Sequence, residues 1–135
     1  MRDYLFRGKR IDNGEWVEGC GIIATENWVS IFTVIDDIDE NSSEVNEIEI
    51  LPETVGQYTG LTDKNGTKIF EGDIVECVSD GEQAVISWLK YSACFGLSFD
   101  GWCCGFDNYD DNLPSDFEVI GNIHDKPELL KTPNP

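Results

Sequence analysis

Four dipeptides limit what this chain can fold into more than any other feature: Asn13-Gly14, Asn65-Gly66, Glu71-Gly72 and Asp80-Gly81. Asn-Gly and Asp-Gly pairs readily supply the positive φ angles of tight reversals. Each dipeptide stands beside short runs rich in β-branched and aromatic residues. Apolar residues recurring at helical spacing are nearly absent. A chain that turns this often between short extended runs makes an all-β fold, a small β-barrel or sandwich.

Segment by segment, "KRIDNGEWVEGCGII" predicts two strands joined at Asn13-Gly14. "NWVSIFTVI" is apolar at both parities and predicts a strand covered on both faces. The stretch after it, "DDIDENSSEVNE" (residues 36–47), is acidic with little to bury and predicts an exposed loop. "IEIL" resumes a strand, with Ile48 and Ile50 on one side and Glu49 on the other. Further on, "DIVECV" and "AVISWLK" flank a hairpin loop, and "CFGLSF", "GWCCGF" and "FEVIGNI" follow as short strands. Asp125 and Pro127 in "DKPELLK" predict one short C-terminal helix. The expected core is Ile74, Val75, Val85, Ile86, Trp88, Phe95, Leu97, Phe99, Val119 and Ile120, with Gly72 and Gly121 at special backbone positions.

The stretch "GLTDKNGTKIFEGDIV" invites comparison with a phosphate-binding loop, which requires Gly-x-x-x-x-Gly-Lys-Ser/Thr leading into a helix. Here Gly60 and Gly66 are one residue too far apart, and Lys68 follows Thr67 instead of preceding it. The β-branched and aromatic residues that follow open no helix to aim at an anion. The stretch is a pair of turns.

Charge narrows the partners. There are 27 acids against 9 bases, a net charge of −18, and no lysine or arginine lies between Ile11 and Asp63. Such a field repels a phosphate backbone, so direct nucleic-acid binding is not expected. No run approaches the ~20 apolar residues of a membrane helix, and the N-terminus lacks a signal-peptide pattern, so no membrane role is expected and a cytoplasmic location is. Cys20, Cys77, Cys94, Cys103 and Cys104 are odd in number without a Cys-x-x-Cys pair, which argues against a disulfide framework.

"VGQYTGLTDKNGTKIFEGDIV", followed by "EVIGNIHDKPELL" and preceded by "YLFRGKRIDNGEWVEG", resembles the YopX family of small proteins encoded by bacteriophages and prophages of Gram-positive bacteria. The resemblance implies a β-rich fold with an SH3-like C-terminal barrel and a phage or prophage origin. It implies no activity and no catalytic residues. The expected organisation is an N-terminal β region with the acidic loop (residues 1–60) and an SH3-like barrel with the C-terminal helix (residues 61–135).

Catalytic chemistry finds little purchase. His124, the single histidine, could pair with Cys94, Cys103 or Cys104 as a nucleophile dyad, but spacing does not bring them together. Adjacent Cys103 and Cys104 point to opposite faces of a strand, a poor arrangement for zinc. "DNYDDNLPSDFE" has Tyr109 and Asn112 where a calcium loop wants a ligand and a glycine. "LPETV" has Val55 where a sortase signal has glycine. No catalytic residue, cofactor or metal is therefore expected, and the chain is not expected to be an enzyme; a cysteine- or metal-assisted hydrolase is the least supported alternative.

The expected function is that of an accessory protein binding an unidentified host or phage protein. Its candidate interaction surface is Trp28, Asp36, Asp37, Asp39, Glu40, Tyr91, Trp102 and Tyr109. The alternative is an acidic mimic of nucleic acid that occupies a basic host protein. Self-association through an exposed strand edge is compatible with either, so a homo-oligomer is also an expectation.

Overall fold

Gly14, Gly66, Gly72 and Gly81 take φ values between 72° and 93°, so the glycine of each of the four dipeptides occupies the left-handed region that a tight reversal uses. Between these reversals the computed structural model, which describes residues 4–39, 42–79, 81–89, 94–99, 102–105 and 117–129, holds antiparallel strands. The chain divides into two compact units, Met1–Tyr58 and Thr59–Pro135.

In the first unit, β1 (Phe6–Lys9) pairs with β2 (Trp16–Gly19) and with the start of β6 (Gly56–Thr62). A second sheet is the meander β3 (Gly21–Ala24), β4 (Val29–Asp39) and β5 (Ser42–Ile50). The two sheets enclose Val29, Ile31 and Ile50, with Phe6, Val17, Ile22, Ile48 and Val55 packed around them. They approach closely at glycines: a Cβ on Gly8 would overlap the Ile50 side chain, and one on Gly19 would overlap the Phe32 carbonyl oxygen.

The second unit takes the end of β6 and β7 (Lys68–Phe70), then β8 (Asp73–Cys77), β9 (Gln83–Leu89), β10 (Cys94–Phe99), β11 (Trp102–Gly105) and β12 (Phe117–Asn122). The last five form one antiparallel sheet in the order β11-β10-β9-β8-β12. Ile69, Val75, Ala84, Ile86, Leu97 and Phe117 make its core. The fold is all-β, and the sheets of the described residues do not close into a barrel.

Four expectations need correction. The acidic stretch is not a loop: β4 runs to Asp39 and β5 starts at Ser42, so most of it lies on a β-ribbon. The register explains why the ribbon tolerates its charge. Glu44 faces Ile35, Glu47 faces Phe32, Glu49 faces Ser30 and Asp39 faces Ser42, so in these pairs no carboxylate lies directly opposite another. Second, burial of β4 at both parities is confined, among its described side chains, to Val29, Ser30 and Ile31; Phe32 and Thr33 are partly exposed.

Third, the described C-terminal residues make only a single 3-10 turn, Pro127–Leu129. The Asn122 side chain accepts the amides of His124 and Asp125 and folds the chain back. A Cβ on Gly121 would stand 2.7 Å from Leu129, the close approach expected of that glycine. Fourth, Trp88 is 50% exposed although Ala84 and Ile86, of the same parity, are buried. It lies towards the end of β9, where its ring meets Phe95 edge-on at 5.1 Å.

Candidate interaction site

The turn that resembled a phosphate loop is closed by its own carboxylate. Asp63 is 5% exposed. Its Oδ1 accepts the amides of Asn65 and Thr67, each at 2.9 Å, and its Oδ2 accepts the Val119 amide of β12 at 2.9 Å. Burial pushes this carboxyl up, but the amides of Val119, Thr67 and Asn65 outweigh it and hold it below its ordinary value. Those amides are what an anion would need, and Asp63 consumes them. The feature ties a hairpin to β12 and is architectural. Asp73, 2% exposed, accepts the Phe70 amide at 2.8 Å in the same manner one turn later.

Two of the exposed apolar side chains, Ile23 and Val45, share one face of the β3-β4-β5 sheet. Side chains alternate across a strand, so Ile31, Ile22 and Ile48, paired in register, face the core, while Ile23, Ser30 and Glu49 line the opposite face. Gly21, Phe32 and Glu47 form the next row, and Val45 the one beyond. On this outer face Ile23 is 45% and Val45 58% exposed, Phe32 is half-buried, and Glu47 and Glu49 are exposed along the β5 side. The result is an apolar strip with a carboxylate border.

Positive charge sits elsewhere in the first unit. Arg7 and Lys9 of β1 stack on the Trp16 ring, at 4.8 Å and 5.7 Å from its centre. Arg10 forms a two-pronged ion pair with Asp12, its Nε and a terminal nitrogen donating to the two carboxylate oxygens at 2.9 Å and 2.8 Å. Hydrogen bonding to each other raises the pKa of Arg10 and lowers that of Asp12. Beside this pair a hollow of about 230 Å³ is lined by Arg10, Ile11, Asp12, Glu47, Ile48 and Glu49.

The model of the family described as YopX protein matches residues 5–131. The chain belongs to the YopX family. This YopX chain is also similar to the crystal structure of protein EF1440 from Enterococcus faecalis, at 25% identity, over 97% of this chain and 100% of that one, with a TM-score of 0.59. No curated protein matches it. No helix among the described residues is long and apolar enough to cross a membrane.

The residues singled out in the YopX sequence do not form one site. Trp28, 36% exposed, lies in the turn from β3 to β4. Asp36, Asp37 and Asp39 lie towards the other end of β4, roughly 30 Å away at ~3.3 Å per residue. Trp102 belongs to β11 in the second unit, opposite Phe99. Glu40, Tyr91 and Tyr109 lie outside the described residues. Trp28 lies in the turn that joins Ile23-Ala24 to Val29, at one end of the apolar strip. Ile23, Phe32, Val45, Glu47 and Glu49 were not foreseen; the alternation in "VNEIEI" was the one available signal for the last three.

Proposed function

We propose that this YopX-family chain is a phage or prophage accessory protein of the bacterial cytoplasm that works by binding another protein through the outer face of its β3-β4-β5 sheet. One observation carries the reading: Ile23 and Val45 stay exposed on a face bordered by Glu47 and Glu49. Apolar strips left open on a sheet are characteristic of contact surfaces. The carboxylate border selects a partner rich in lysine and arginine, whose aliphatic stems cover the strip while their charged ends meet the glutamates. The exposed apolar side chains favour protein contact over mimicry of nucleic acid, which calls on carboxylates alone. We take the second unit as an SH3-type scaffold, a reading supported by its five-stranded antiparallel meander with β12 returning beside β8.

The test is co-purification from host extract with the wild type, an Ile23→Arg/Val45→Arg variant and a Val78→Arg control. Val78 is 54% exposed and belongs to the second unit. The double variant is expected to lose at least tenfold in partner recovery with unchanged circular dichroism, while the control binds normally. Equal recovery by all three proteins rules the reading out.

A further inference from the structure

The same sheet leaves a strand edge half used. At its C-terminal end β5 is already paired: Arg10 bridges Ile50, the Ile11 amide donates to the Glu49 carbonyl at 3.2 Å, and the Leu51 amide donates to the Lys9 carbonyl at 2.8 Å. The occupant of that edge is the chain's own basic extended segment, Lys9-Arg10-Ile11. At Asp12 the chain turns away towards Gly14. Among the described residues no strand takes its place, and β5 is the outermost strand of its sheet.

The geometry of the existing pair fixes which groups remain. Glu49 and Leu51 direct their backbone groups outwards, and in a strand this direction alternates with a period of two. The N–H and C=O of Glu47 and Val45 therefore also point outwards, while those of Asn46, Ile48 and Ile50 serve the ladder with β4. An edge with free outward groups is a template for another strand. Side chains of an added strand opposite Val45 and Glu47 would lie on the carboxylate-bordered face. The hollow between Arg10–Asp12 and Glu47–Glu49 adjoins this edge, and with Arg10 engaged by Asp12 the two glutamates remain as its acceptors of positive charge.

We infer that the open stretch of β5 receives an extended lysine- or arginine-bearing segment of a partner protein, added antiparallel opposite Val45 and Glu47, continuing the ladder that Lys9–Ile11 begins. The inference rests on the docking face proposed above and specifies how the partner engages it. Glu47 serves a second purpose here: if two β5 edges met in the register centred on it, its carboxylate would face its own copy, so in that register the edge prefers a basic strand to a second copy of this chain.

The experiment uses the full chain and a fluorescent nine-residue peptide of alternating lysine and valine, read by anisotropy. Its comparators are a glutamate-valine peptide and two lysine-valine peptides, each N-methylated on one alternate set of backbone amides. Strand addition uses only one set, so one methylated peptide is expected to bind at least tenfold more weakly and the other like the parent. The glutamate peptide is expected not to bind, and Glu47→Lys to weaken the parent at least fivefold. If both methylated peptides bind like the parent, edge pairing is overturned while the basic docking face survives. If the parent itself fails to bind, the inference falls, and the Ile23→Arg/Val45→Arg comparison decides separately whether the face does.

Discussion

Replacing Asp63 by asparagine tests the architecture of the second unit at a single pair of atoms. The asparagine oxygen can keep the Asn65 and Thr67 amides, but its NH2 group then faces the Val119 amide, donor against donor. One charge-assisted bond disappears, the two others lose their charge, and a backbone N–H is left unsatisfied. Bonds to charged groups contribute about 1.5–3 kcal/mol, so the loss should come to about 2–3 kcal/mol. With a urea dependence of about 2 kcal/mol per molar, the midpoint should fall by about 1–1.5 M.

The assay is urea unfolding at pH 7 followed on the Ile86 and Leu97 amide resonances, which report on the second unit alone. Acidification supplies the control. The folded pKa of Asp63 lies below its unfolded value, so its contribution is full above about pH 4 and is lost as pH falls through the folded value. The gap between wild type and Asp63→Asn should therefore narrow as the pH falls below about 4. A midpoint shift under about 0.3 M at pH 7, or a gap indifferent to acid, refutes the assignment.

Two glycine substitutions separate close approach from backbone angle. Gly19→Ala puts a methyl group into the Phe32 carbonyl, a rigid neighbour, and should cost about 2–3 kcal/mol, lowering the melting temperature of the first unit by roughly 10 °C. Gly66→Ala meets nothing within 4 Å, so only its φ of 82° matters; the cost should be about 1 kcal/mol, roughly 4 °C by calorimetry. Equal shifts for the two would mean that the sheets of the first unit do not meet at Gly19. Ile23→Arg/Val45→Arg should leave both transitions where they are, because both side chains are already exposed.

The strands were legible wherever turn chemistry marked their ends. Asn13-Gly14 and Asn65-Gly66 named their hairpins correctly, and the parity of Ile48, Glu49 and Ile50 named the face each side chain takes. What the sequence hid was register. Summed along the chain, the charge of the acidic stretch points to a loop, whereas in the ribbon Glu44, Glu47 and Glu49 each meet an uncharged partner across the strands. Asp63 shows the same limit. Its place two residues before Asn65 hints at a side-chain-closed turn, but its third partner, Val119, is 56 residues away. The docking face was hidden for a related reason. Ile22 and Ile23 are indistinguishable in "CGIIA" until pairing with Ile31 and Ser30 sends one to the core and the other to solvent.

We propose that the outer face and open edge of β5 receive a basic partner. Amide chemical-shift mapping of the full chain during titration with the lysine-valine peptide tests it most directly. Saturable shifts confined to Ile23, Phe32, Val45, Glu47 and Glu49 and their neighbours are expected. Shifts centred on Arg7 and Trp16, or spread over the five-stranded sheet, would contradict it.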